Sequence, residues 1–153
     1  MTVRKPLVMV NGEIQQLQSS DSLADAALPQ LIADAVIIAG AALYASAADH
    51  VNNAKADSIA TARVVGLAAA AIGSGSSGSV ETQDILALTT AQWDAVAGTT
   101  GGLTFNTDYY LSAATAGMLT ATPPSTVGQV VVKVGRAIST TELKVQISQP
   151  ILL

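Results

Sequence analysis

From Glu142 to Ile147 the chain alternates strictly, with Leu143, Val145 and Ile147 on one parity and Glu142, Lys144 and Gln146 on the other. Successive side chains of a strand point to opposite faces, so this period of two describes a half-buried antiparallel strand with one face on a core and the other in solvent. Upstream, Val130, Val132, Val134 and Ile138 are expected on one strand face, with Gln129 and Lys133 opposite. Further short β-prone runs are Ile37 to Ala45, Arg63 to Ala68 (continuing to Ile72), Ser79 to Gln83, Ile85 to Leu88, Asp108 to Ser112 and Met118 to Thr120. Turn-forming residues separate them: Gly73 to Gly78, Gly117, Pro123–Pro124 and Ser139–Thr140. Many short strands with turns at intervals of roughly 8–12 residues predict an all-β fold, an antiparallel β-sandwich with a barrel as the alternative.

One short helix interrupts the strands near Trp93. Thr89-Thr90-Ala91-Gln92 fits a capping box, with Thr89 as N-cap and Gln92 reaching back from the third helical position. Trp93, Val96 and Ala97 then share a face, and Gly98 ends the helix. There is also a weak internal repeat. Leu43-Tyr44-Ala45-Ser46 precedes Val65-Gly66-Leu67-Ala68, and Tyr110-Leu111-Ser112 precedes Val134-Gly135-Arg136-Ala137. Each copy runs strand, variable turn, Val-rich strand, Gly, small residues. Two similar β units facing each other would make a sandwich; chance similarity in a chain rich in Ala and Val is the alternative.

Residues 1–36 differ from the rest. Leu7 to Val10 and Glu13 to Leu17 flank Asn11–Gly12, the preferred pair for a type I′ hairpin turn. Ser22 to Ala27 fits one helical turn, stopped by Pro29. The expected organisation is an extended N-terminal arm with a hairpin over 1–36 and a β-sandwich domain over 37–153.

With 153 residues the chain has the length of one domain, and it contains no cysteine, so disulfides and thiolate metal sites are excluded. Charged residues are only 12% of the chain, against roughly 25% in an ordinary globular protein. So sparse a charge fits a surface largely covered in an assembly, although Ser and Thr also solvate it. The net charge is −4 and the seven basic residues are scattered apart from Arg4–Lys5, which argues against nucleic acid as a partner. The most apolar stretch, Ala35 to Ala48, is shorter than the roughly 20 residues that span a bilayer, so no membrane partner is expected. The first ten residues make a poor signal peptide.

Reactive chemistry is thin. His50 is the one histidine, beside Asp49 in a polar, turn-like stretch, and is expected to be a solvated loop residue rather than a metal ligand or acid–base group. No nucleophile-elbow motif marks a triad. The eleven carboxylates sit mostly in turn-like or outward contexts, and a small hydrolase would require a pair of them in a cleft. Gly73-Ser74-Gly75 is not followed by the Lys and helix of a phosphate loop. The chain is therefore expected to be no enzyme and to hold no cofactor or metal. Trp93, Tyr109 and Tyr110 are the aromatics that would serve as exposed binding platforms. Helical spacing with Val96 favours the core for Trp93, and adjacency on a strand sends one tyrosine inward and the other outward. Ile151, Leu152 and Leu153 close the sequence, and leaving them in water would forfeit roughly 1.5–3 kcal/mol each, so they belong to the core or to a seam between subunits.

The opening Pro6 to Leu17, the segment Thr89 to Leu103, and Val134 to Leu143 with Gln149 to Leu153 resemble segments of tailed-bacteriophage virion proteins. These are capsid decoration (cement) proteins and related tail-fibre and tailspike β-sandwich modules. The resemblance spans most of the chain. It implies a β-sandwich, a homotrimer, attachment to the major capsid protein on the outer capsid surface of the virion, and no catalytic motif. The expectation is a cement protein that stabilises the shell. Its contact residues are expected to be Leu7, Val8, Val10, Ile14 and Leu17 in the arm and Ile151, Leu152 and Leu153 at the far end. The alternative is a tail-fibre or tailspike module binding a host-surface glycan through exposed Trp93, Tyr109 or Tyr110.

Overall fold

The structure, a computed structural model, describes Leu7–Val10, Glu13–Gln16 and residues 29–153. Two strands, β1 (Leu7–Val10) and β2 (Glu13–Gln16), pair antiparallel with Val10 opposite Glu13, the register a two-residue hairpin connection requires. The Asn11–Gly12 pair, the Ser22–Ala27 turn and Leu17 lie outside the described residues.

Among the described residues the chain is all-β with one short helix. Next come β3 (Gln30–Ala33), β4 (Ala42–Ala47), β5 (His50–Asn53), β6 (Val64–Ala68) and β7 (Ser77–Glu81). They close into a five-stranded barrel in which β3 runs parallel to β5 and every other neighbour is antiparallel. The boundary placed after residue 36 is therefore corrected: Gln30–Ala33 is a wall of the barrel, because Leu31 and Ile32 pair with β7 and Ile32 and Ala33 with β5. The first long strand is shorter than expected. Gly40 takes φ +81 and breaks it, leaving Ile37 as an isolated bridge to Ile72. The stretch from Asp49 to Asn53 is also corrected. Only Ala48–Asp49 turns, with Asp49 at φ 61, and His50–Asn53 is a strand because Val51 is buried opposite Ala45.

A second set follows: β8 (Ile85–Ala87), α1 (Thr90–Ala97), β9 (Asp108–Leu111), β10 (Leu119–Thr120), β11 (Val130–Val131), β12 (Lys133–Ala137), β13 (Glu142–Val145) and β14 (Ile151–Leu152). Five of these strands form an open sheet in the order β10-β9-β12-β13-β8, and β11 pairs with β14. The capping box at Thr89 and Gln92 forms, and Gly98 caps the other end. Trp93 and Val96 are buried, and the indole Nε1–H donates to the Thr141 carbonyl at 2.9 Å.

The two sets share one plan. Taken in chain order within each unit, and leaving aside the β11–β14 pair, both place their strands third-second-fourth-fifth-first. The correspondence extends to single residues. Leu43 faces Gly66 and Tyr44 faces Val64, while Tyr109 faces Gly135 and Tyr110 faces Lys133, so each unit carries one extra residue before its glycine. Gly40 donates to the Ala68 carbonyl and Asn106 to that of Ala137, and both donors have positive φ. Ala41 and Thr107 accept from Ala68 and Ala137 in turn. The repeat seen in the sequence is thus a duplicated five-strand unit, closed in the first copy and open in the second. One cluster of buried aliphatics runs through both.

The bulge in the second copy also moves a side chain. Val130, Val132 and Val134 are buried as expected, but Ile138 is 37% exposed. The extra residue at Val134 flips the parity, so that Arg136 points outward and Ala137 inward.

Candidate interaction surface

The joint between the units is made by backbone. The β4–β5 ladder splays at its end, and the loop between β9 and β10 inserts there. Gly117 donates to the Ala54 carbonyl at 2.7 Å and accepts from the Ala42 amide at 2.9 Å. At φ +77, and with a Cβ position only 2.6 Å from Asn53 Oδ1, the site admits glycine alone without adjustment. Beside it the Ala56 amide donates to Ser112 and its carbonyl accepts from Val130. Glu81, the one buried charged residue among those described, caps the connection: its Oε1 accepts from the amides of Thr82, Gln83 and Asp84 at 3.0–3.3 Å.

The far end of the second unit exposes apolar surface. Leu153 and residues 128–129 exchange backbone bonds, with Gly128 donating to the Leu153 carbonyl and Leu153 donating to Gln129, which extends the β11–β14 pair. This places Ile151, Leu152 and Leu153, at 60%, 58% and 41% exposure, next to the turn that carries Val127 at 88%. The closing aliphatics thus lie outside the core formed by the described residues. An open groove of about 830 Å³ lies between the units, with Ile59, Val64, Val65 and Ile147 on its walls and Arg63 and Gln149 at its polar side.

The aromatic candidates separate. Trp93 and Tyr109 are fully buried, so neither is a binding platform. Trp93 fills the space above Gly40, and the Tyr109 hydroxyl accepts from the Thr104 amide. Tyr110 alone is half-exposed, on the outward face of the open sheet between Thr120 and Lys133. In the next row Arg136 clamps Asp108 through two bonds of 2.7 and 3.0 Å, and Lys133 adds a third contact at 2.9 Å. The Arg136 guanidinium first, and then the Lys133 ammonium, hold the Asp108 carboxyl far below the usual carboxylate range.

His50 pairs with Asp34 rather than Asp49, Nδ1 to Oδ1 at 2.7 Å, across the parallel seam that closes the barrel. The Ser46 hydroxyl donates to the other Asp34 oxygen. Hydrogen bonds from Ser46 and His50 lower the Asp34 pKa. The carboxylate lies between the hydroxyl and the imidazole, so the serine meets Asp34 and not the histidine. Among the described residues no three His, Cys, Asp or Glu side chains gather as metal ligands, and no helix is long and apolar enough to cross a membrane.

Leu7, Val8 and Val10 fall on β1 and Ile14 on β2; what their side chains meet lies outside the described residues. The Gly117 joint has no signal in a single sequence, since nothing local marks which glycine enters a distant ladder. Comparison with protein families, curated proteins and solved structures found no match.

Proposed function

We propose that this chain is a structural module of a tailed-phage particle, a decoration protein that trimerises on the outer capsid surface, holds to the major capsid protein and catalyses nothing. The observation that carries this reading is the row of exposed aliphatics at Ile151, Leu152 and Leu153 beside Val127. Contiguous apolar surface is uncommon on a working monomer and marks contact with another macromolecule. The low charge of the chain fits the same role. A two-layer, sandwich-like packing of the open sheet on the barrel belongs to this proposal. A protein that binds assembled shells and not free subunits stabilises them by linkage, by about RT ln(1 + [L]/Kd) per site. Light scattering on the full chain, followed by co-sedimentation with assembled shells, tests it. The expected result is self-association and retention on shells. A monomer that does not sediment with shells would overturn it.

Tyr110 supports a second reading, a tail module that binds a host-surface glycan. Its ring is half-exposed, with Thr120 and Lys133 as polar flanks. Retention on a glycan array that is lost in Tyr110→Ala would favour it.

A further inference from the structure

We infer that copies of this chain join head to tail, with the tip of one copy's first unit seated on the strip of the next copy's second unit that corresponds to the joint inside the chain. The inference rests on the self-association proposed above and gives it a geometry. Inside the chain, the second unit's β9–β10 loop covers the first unit just after β5, where Ala54 and Ala56 are fully buried. Ala45 faces Val51 and Leu111 faces Leu119, so counting on from β5 and β10 puts Thr122 at the place of Ala54 and Pro124 at that of Ala56. In the second unit nothing among the described residues covers this strip. Residues 121–123 and 125–128 are exposed and Pro124 is half-buried. The strip leads through Val127 and Gly128 straight to Leu153, so it is continuous with the exposed aliphatics of β14.

The opposite half of the joint is also free. The first unit's β4–β5 tip corresponds to the loop that does the covering, and all of residues 45–49 are exposed. Three of the five are alanines, a shape and polarity suited to Val127 and Leu153. The contact is not a bond-for-bond copy of the internal one, because Pro124 has no amide to donate where Ala56 donates to Ser112. The two surfaces differ, so the contact is heterologous and is satisfied in every copy only when a ring closes. A trimer of this kind is a ring of six similar units.

The test uses full-length Ala48→Glu at the tip and Val127→Glu on the strip, with Ser125→Glu as a second strip variant. Sedimentation and native mass spectrometry give assembly, and thermal unfolding checks the fold. The expected result is that wild type associates and each variant associates at least tenfold more weakly with unfolding unchanged. An equimolar mixture of the tip and strip variants should form a dimer and nothing larger, because only one intact tip meets one intact strip. If Ala48→Glu assembles like wild type while the strip variants do not, copies meet through the aliphatic end alone and the head-to-tail geometry is wrong. A mixture that stays monomeric, or that forms the full assembly, also overturns it. A wild type that stays monomeric overturns both this geometry and the self-association beneath it.

Discussion

Gly66 and Gly135 stand at the same point of the two units, each against the carbonyl of the strand beyond. A Cβ on Gly66 would lie 2.6 Å from the Glu81 oxygen, and one on Gly135 would lie 2.4 Å from the Lys144 oxygen. Both distances are far inside contact, and the obstacle is backbone. Alanine at either position should destabilise the protein by about 1–3 kcal/mol or more, the usual range for forced overpacking. Urea unfolding with a global fit measures this. A cost near zero at Gly135 would show that β13 moves freely away from β12.

Trp93 joins the helix to the second sheet through one polar bond and a large buried surface. Trp93→Phe keeps most of the ring but leaves the Thr141 carbonyl without the indole donor. The carbonyl keeps the Leu88 amide as a donor at 2.9 Å, so the expected loss is that of one hydrogen bond, about 0.5–1.5 kcal/mol. Trp93→Ala should cost about 3–5 kcal/mol. Neither change should alter retention on shells at temperatures where the variant stays folded, because the side chain is fully buried.

Asp108 sets an acid limit on stability. Its folded pKa lies below its unfolded value of about 3.9, so the stabilising contribution is complete above that pH and is lost as pH falls through the folded value. Asp94, held low first by the Gly102 amide, acts in the same direction. The melting temperature should therefore decline below about pH 4, and Asp108→Asn should lower it at pH 7 while flattening the acid side of the profile. An unchanged slope in that variant would remove the Arg136–Asp108–Lys133 cluster as the cause.

The exposed aliphatics give a surface prediction. Leu152→Lys replaces a side chain that is 58% exposed, so stability should change by no more than about 0.5 kcal/mol. Retention on assembled shells should nevertheless fall sharply. Co-sedimentation alongside a melting curve separates the two effects.

Much of the fold was legible because its signals are local. The Thr89–Gln92 box, the Leu143–Val145 alternation and the Val10–Glu13 register each depend on residues within a few positions of one another. The paired Tyr and Gly motifs also marked a true duplication, although sequence could not show that one copy closes. Closure depends on Ile32 and Ala33 finding His50 and Val51 in parallel, a distant pairing that leaves no local trace. The misplaced exposure of Ile138 has the same root, since a bulge becomes visible only once the partner strand is known. The closing aliphatics stand out in the sequence as apolar, but their exposure depends on packing that no local signal records. The strip at 121–128 looked like an ordinary turn, and its meaning comes from its covered counterpart at Ala54 and Ala56.

The strand that shuts the barrel is also the first one after residue 29. Tension entering from that side runs along β3, which is laced to β7 on one edge and to β5 on the other. Both ladders must give way before the load reaches the aliphatic interior. A pull applied upstream of Gln30 is therefore shared between an antiparallel ladder to β7 and a short parallel one to β5, and it strains the closure of the barrel before anything else.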